Sequence, residues 1–340
     1  MTSKKSGCLT AFLVLALCAS IFFNLLLLGA VTARLGGSSS SRISVLKKQD
    51  ASYEEVVLRD GPAKDKIAVI PLDGIIAYQQ PGMVGNSMVE DMTLAFEQAL
   101  NDDTVKAVVL SVDSPGGEIT ASDVLYHEVK KLAEKKPVVI FMNSIGASGA
   151  YYIACGGSYI MCNPTTFTGS IGVIISTLNY RELFGKIGLE SIVFKSGKFK
   201  DMLNGARELT PEEAAYVQGL VMQSYDRFVG IVATSRELPE AQLRSGPADG
   251  RIMSGVDAEA AGLVDKTGYI REAWSKAQEL AGLEDATVVR YEPIFSFSSF
   301  FRIFGESQSP SVNLQLPGST ADLPRLEPGR IYLLPAFFAP

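Results

Sequence analysis

Between residues 67 and 175 short apolar runs recur between stretches of helical spacing, and no other feature of the chain narrows its fold as much. Ile67 to Leu72 reads as a buried strand, Met88 to Leu100 as a helix and Val105 to Val112 as a second strand. Ile119 to Lys135 is helical, with Val124, Leu125, Glu128 and Leu132 roughly along one stripe. Pro137 to Met142 is a third strand, Ala150 to Ala154 a buried helical turn, and Ile171 to Ile175 is again strand-like. Strands that alternate with helices call for an α/β sheet. Pro211 then opens a long helix to about Arg236, where proline at the first position and Glu212 and Glu213 behind it suit the positive end of the helix dipole.

The N-terminus has a different character. From Cys8 to Ala33 there are 26 residues without a charge, polar only at Thr10, Ser20, Asn24 and Thr32, which exceeds the roughly 20 needed to cross a bilayer. Lys4 and Lys5 before the run and Arg34 and Arg42 after it favour the N-terminus inside. Val31-Thr32-Ala33 offers a cleavage site for a signal peptide, but the run is longer than the apolar core of such peptides, about 7 to 15 residues, so an uncleaved anchor is expected. Cys18 follows Leu-Ala-Leu, which does not suit lipidation.

These signals divide the chain into a cytoplasmic N-terminus at 1–7, a transmembrane anchor at 8–33, a flexible tether at 34–65 that contains the glycine and serine run Gly36 to Ser41, a main folded domain at 66–283 and a tail at 284–340. In the tail Phe295, Phe297, Phe300, Phe301 and Phe304 crowd together and prolines follow from Pro310 onward. An interfacial membrane patch, a surface for another subunit and a strand pair packed on the domain all fit that pattern.

Composition removes several function classes. With 31 basic and 37 acidic residues the net charge is -6, which leaves no electrostatic footprint for nucleic acid. Two of the four cysteines, Cys8 and Cys18, fall in the apolar run, so Cys155 and Cys162 form neither a disulfide framework nor a zinc motif. The single histidine, His127, excludes metal sites that need two imidazoles and permits a serine-histidine triad only if it is the base itself. No metal or cofactor is expected.

Three segments are able to carry chemistry. Ser114-Pro115-Gly116-Gly117 joins a strand to a helix and frees backbone amides at a point of close approach, as an oxyanion hole, an anion cradle or an ordinary tight turn. Ser148 lies among small residues in Gly146-Ala147-Ser148-Gly149-Ala150, where it serves either as a nucleophile or as a helix cap. A nucleophile needs a base, and His127, beside Glu128, Lys130 and Lys131, reads as a solvated helix residue. Lys195, Lys198 and Lys200 remain, around Gly197. A lysine acts as base only as the neutral amine, and lowering its pKa by about three units costs roughly 4 kcal/mol, which dry surroundings and nearby positive charge supply. Spacing does not choose among the three, and a charge cluster of this kind also reads as a solvated loop.

Four blocks in order, Asp113-Ser114-Pro115-Gly116-Gly117, Ala147-Ser148-Gly149-Ala150-Tyr151-Tyr152, Thr168-Gly169-Ser170-Ile171-Gly172-Val173 and Ser196-Gly197-Lys198-Phe199-Lys200-Asp201, make the chain resemble the signal peptide peptidase A family of serine peptidases. The likeness runs from about Ile67 to Leu280 and holds one catalytic module, as in the short bacterial form. It implies a Clp protease/crotonase-like α/β fold, with Ser148 as nucleophile and Lys200 as base, the latter chosen by family position only. It further implies that Ser170 supports the lysine and that the amides of Gly116 or Gly117, with that of Gly149, bind the oxyanion. Expected partners are signal peptides, membrane lipid through the anchor, and further copies of the chain in a homo-oligomer whose sites combine serine and lysine from neighbouring subunits. The implied location is the bacterial inner membrane, catalytic domain outside the cytoplasm. Two alternatives are acyl-CoA chemistry on the same fold, which explains neither the anchor nor the pairing of Ser148 with Lys200, and an inactive membrane scaffold, which would be expected to lose Ser148 or Lys200 first.

Overall fold

A computed structural model describes residues 53–78 and 87–294, together with Ser20 and the pair 332–333. The chain divides into a unit at 1–50 and a second at 51–340, and the sheet belongs to the second. The uncharged run at 8–33, apart from Ser20, the Gly36 to Ser41 stretch and the phenylalanine cluster at 295–304 lie outside the described residues. Among the described residues no helix is long and apolar enough to cross a membrane.

In chain order, β1 (Tyr53–Arg59) and β2 (Lys66–Asp73) precede α1 (Met88–Asn101), and β3 (Val105–Ser114) and β4 (Gly117–Glu118) lead into α2 (Ile119–Ala133). Next come β5 (Val138–Ala147), α3 (Gly149–Ala154), β6 (Tyr159–Cys162) and β7 (Phe167–Gly169), then α4 (Arg181–Lys186), α5 (Pro211–Arg236) and α6 (Glu240–Arg244). The remainder is β8 (Ile252–Ser254), α7 (Gly255–Ala260), β9 (Lys266–Thr267), α8 (Ile270–Leu280), β10 (Thr287–Pro293) and β11 (Tyr332–Leu333).

Side chains alternate across a strand, and in β2, β3 and β5 both sets are apolar. Ile70, Leu72, Leu110, Val112, Ile140 and Met142 pack on one face with the buried sides of α1, α2 and α3. Ile67, Val69, Val109, Val139 and Phe141 pack on the other with Ala273 and Ala277 of α8. Two covered faces are what a parallel sheet requires. The strand order is β1-β10-β2-β3-β5-β6-β9, parallel throughout except for β1 on β10. Midway along β5 the sheet forks: Val139 to Met142 pair with β6, whereas Ile145 to Ala147 pair with β7, which in turn pairs antiparallel with β8.

The structure differs from the periodicity in four places. Ile171 to Ile175 is not a strand, because Gly169 (φ 77) and Ser170 (φ 51) take left-handed conformations that turn the chain, and the strand lies earlier, as β7. The third strand runs on past Met142 to Ala147 and delivers the chain to Ser148. Tyr159–Cys162, unmarked by periodicity, pairs as β6. The sheet also reaches beyond 66–283 at both ends: β1 lies within the polar stretch read as tether and β10 beyond Glu284, paired from Tyr53 opposite Pro293 to Val57 opposite Val289 and, after a one-residue shift, at Arg59 opposite Val288. The Gln98 side chain of α1 bonds both Tyr53 N and Tyr53 O at 3.0 Å, which fastens β1 to the domain.

Candidate active site

Both glycine-bearing segments sit where parallel strands end, the place at which an open α/β sheet leaves a crevice. Ser148 occupies the single residue between β5 and α3, with φ 55 and ψ -115. A non-glycine residue in that region costs of order 1–3 kcal/mol, so the surroundings must enforce it. Ser148 N donates to Gly169 O (2.9 Å), and Tyr152 N donates to Ser148 O (2.8 Å). Behind the turn all six residues of α3 are buried. Tyr151 Oη donates to Leu263 O (2.7 Å), and Tyr152 Oη to Asp123 Oδ1 (2.6 Å), a carboxylate that Arg227 of α5 also binds. Burial first, and then Asp123, push the Tyr152 phenol well above its ordinary range. The strand-to-helix turn is thus clamped from behind while Ser148 Oγ, fully buried, has no hydrogen-bond partner among the described residues. A buried hydroxyl without a partner needs an explanation, and a strained serine at a strand-to-helix turn is how several hydrolases present a nucleophile.

The Pro-Gly-Gly turn lies against it. A Cβ on Gly149 would come within 3.0 Å of Gly117 N and 2.5 Å of Ser122 Oγ. Gly116 takes φ 105 and its amide donates to Ser114 Oγ (3.1 Å). The Gly116 amide is thus engaged, while Gly117 N lies beside Gly149, whose own N–H stands in the first turn of α3, where no intrahelical acceptor exists. Gly117 is bridged to Ile76, and a Cβ there would stand 1.9 Å from the Ile76 carbonyl oxygen. Gly117→Ala is therefore expected to lose about 3 kcal/mol, read from the urea midpoint; a wild-type midpoint would refute so close an approach. The other edge of β4 pairs antiparallel with β11, Gly117 opposite Leu333 and Glu118 opposite Tyr332, so an extended chain is accepted beside these glycines.

The lysines lie elsewhere. Lys195 binds Asp201 (2.7 Å) and Lys198 binds Glu212, whereas Lys200, exposed on the following turn, has no ion-pair or hydrogen-bond partner for its amine among the described residues. Phe199 stacks on Tyr216 in the early part of α5 (5.3 Å between ring centroids), while Phe228, twelve residues further along that helix, packs on Tyr152 (5.0 Å). Twelve residues correspond to about 18 Å of helix, and within one chain Ser148 and Lys200 are not joined. Ser170 is buried beside Gly169, its N–H bonded to Arg251 O (2.7 Å), and so adjoins the carbonyl that holds Ser148. His127 is exposed on α2. Burial pushes the thiols of Cys155 and Cys162 up to about 12, so neither is a nucleophile at neutral pH. Sequence reasoning missed Ser122, whose buried hydroxyl, beside Gly149, lacks a partner among the described residues; its signal was a serine on the apolar side of a helix.

The profile of peptidase family S49 matches residues 130–284. A candidate signal peptide peptidase SppA of Enterococcus faecium is 34% identical over 281 residues, which cover 79% of this chain and 81% of that protein. A candidate protease of Methanocaldococcus jannaschii is 40% identical over 190 residues, 56% of this chain and 61% of that protein. Protease 4 of Salmonella typhi is 36% identical over 254 residues, 74% of this chain and 40% of that protein.

Proposed function

Because the chain belongs to peptidase family S49, we propose that this serine peptidase uses Ser148 as nucleophile and Lys200 as general base, and that it degrades cleaved signal peptides at the membrane. The observation that carries this reading is the strained, buried Ser148, its Oγ without a hydrogen-bond partner among the described residues, directly before Gly149, which in turn lies against Gly117 N. Ser148 Oγ attacks the peptide carbonyl carbon as its proton passes to the Lys200 amine. The carbonyl oxygen, now negative, is held by the N–H groups of Gly117 and Gly149. Collapse breaks the carbon–nitrogen bond, the Lys200 ammonium returns the proton to the leaving amine, and water releases the acyl group by the reverse sequence. Ser170 supports the lysine by hydrogen bonding.

Lys200 is preferred over its neighbours for an electrostatic reason. A carboxylate stabilises the ammonium form, and Lys195 and Lys198 are each paired with one. Lys200 is exposed, however, in a segment that also exposes Leu178 (76%), Ile192 (73%) and Phe194 (95%). Such an apolar patch suits coverage by a second copy of the chain, which would also supply the dry surroundings a neutral amine needs. The site then combines Ser148 of one subunit with Lys200 of the next, in a homo-oligomer of Clp protease/crotonase-like domains. The run at 8–33 anchors it in the inner membrane, with the catalytic domain outside the cytoplasm and close to its apolar substrates. A peptidyl phosphonate ester, which esterifies an activated serine, tests the assignment in the full chain in detergent. Peptide mass spectrometry should find one adduct per chain, at Ser148; an adduct on another serine, or hydrolysis that persists with Ser148 unmodified, rejects it.

A further inference from the structure

Next to Lys200 stands the most heavily bonded ion cluster on this segment. Arg207 donates from Nε and Nη2 to the two carboxylate oxygens of Asp201 (2.9 and 2.8 Å) and from Nη2 to the Asp201 carbonyl (3.1 Å). The same guanidinium donates to both oxygens of Glu213, a nearly buried carboxylate that also accepts from Thr210 N as part of the capping box of α5. Arg207 Nη1 reaches Glu208 O (2.9 Å). The residue after Lys200 is thus locked to the first turn of a 26-residue helix, across a loop in which Leu203 is held at φ 65. Arg207, followed by Lys195, keeps the Asp201 carboxyl well below the usual carboxylate range.

Taking Lys200 as the base, we propose that Arg207 is a positioning residue for it: by gripping both oxygens of Asp201, one of which Lys195 also binds, it fixes the turn that carries Lys200 and holds the adjacent carboxylate in a cluster that leaves out the Lys200 amine. A pairing of Asp201 with that amine would favour its ammonium form. The charged groups that face this turn are Lys195, Lys198, Arg207 and Glu208 of its own segment, Glu212 and Glu213 of α5, and Arg181 of α4, which pairs with Glu208. Without Arg207, Asp201, the next residue in the chain after Lys200, keeps only Lys195 as an ion-pair partner among the described residues. Arginine suits the task because a single planar guanidinium grips two carboxylates at once, which an ammonium does not.

The test is the pH profile of kcat/KM, from about pH 6 to 10, for hydrolysis of a quenched signal-peptide-like substrate by the full chain in detergent. Arg207→Gln should move the acid limb up by about one pH unit, equivalent to about a tenfold loss of rate near neutrality, with KM unchanged and the rate recovering at alkaline pH. Adding Asp201→Asn to that variant should return the limb to the wild-type position, since no carboxylate is then left to pair with Lys200. A uniformly lowered profile without rescue by Asp201→Asn, or an unmoved limb, overturns the proposal and leaves Arg207 a structural group. If Arg207→Gln does not fold, Arg207→Lys replaces it: a smaller upward displacement supports the proposal and a wild-type profile overturns it. Lys200→Ala in the same assay keeps the two readings apart, because activity surviving there removes the base assignment, whereas a dead Lys200→Ala beside an unmoved Arg207→Gln limb removes only the role of Arg207.

Discussion

Alanine at Ser148 or at Lys200 is expected to lower kcat by about ten-thousandfold or more, because removal of either nucleophile or base from a unit that acts together disables the whole of it. Lys195→Ala and Lys198→Ala are expected to stay within about tenfold of wild type, since each ammonium is already tied to a carboxylate, Asp201 and Glu212 respectively. The contrast among three lysines within six residues matters more than either loss alone, because a general disturbance of this turn would affect all of them. Ser148→Ala carries a second expectation. The Ser148 hydroxyl is fully buried without a partner among the described residues, so its removal relieves an unsatisfied polar group, and the thermal midpoint should not fall. Hydrolysis of a signal-peptide-like fluorogenic substrate, beside a melting curve, checks both. Substantial turnover by Lys200→Ala, or equal loss in Lys195→Ala, would remove the base assignment.

Mixing those two dead chains is expected to restore activity. If every site takes its serine from one subunit and its lysine from the next around a closed ring, random co-assembly of Ser148→Ala with Lys200→Ala in equal amounts leaves about a quarter of the sites intact. The reason lies along α5: Phe199 stacks near its start and Tyr152, four residues after Ser148, packs against its later part, about 18 Å away. Lys200 is also exposed in the single chain. Chains co-expressed with two different affinity tags and purified through both should show this recovery. Complete inactivity in proven mixed oligomers would mean that both groups come from one chain, brought together by a rearrangement of the segment at 174–209.

Legibility in the sequence differs from element to element. Met88–Asn101 and Pro211–Arg236 were legible because their caps and periodicity are local: Ser87 with Glu90, and Thr210 with Pro211 and Glu213, close each start within four residues. The core strands were legible as unbroken apolar runs, since each is covered on both faces. β1 and β10 were not: β1 is a polar strand at the sheet edge, β10 is a short run between β1 and β2, and each takes its hydrogen bonds from strands more than 200 residues away. At the site, the small residues around Ser148 and the paired glycines stood out because close approach excludes side chains, a requirement written directly in residue type.

The α/β class, the four blocks that carry the family resemblance and the candidate residues for the chemistry were read from the sequence. Which neighbours those residues have was settled by folding. It engages the Gly116 amide with Ser114 and sets Gly117 beside Gly149, pairs Lys195 and Lys198 with carboxylates but, among the described residues, not Lys200, and brings Arg207 onto Asp201 and Glu213. Periodicity and residue type report local conformation and the need for burial, whereas hydrogen bonds and ion pairs depend on distances of a few ångströms that exist only once the chain has folded.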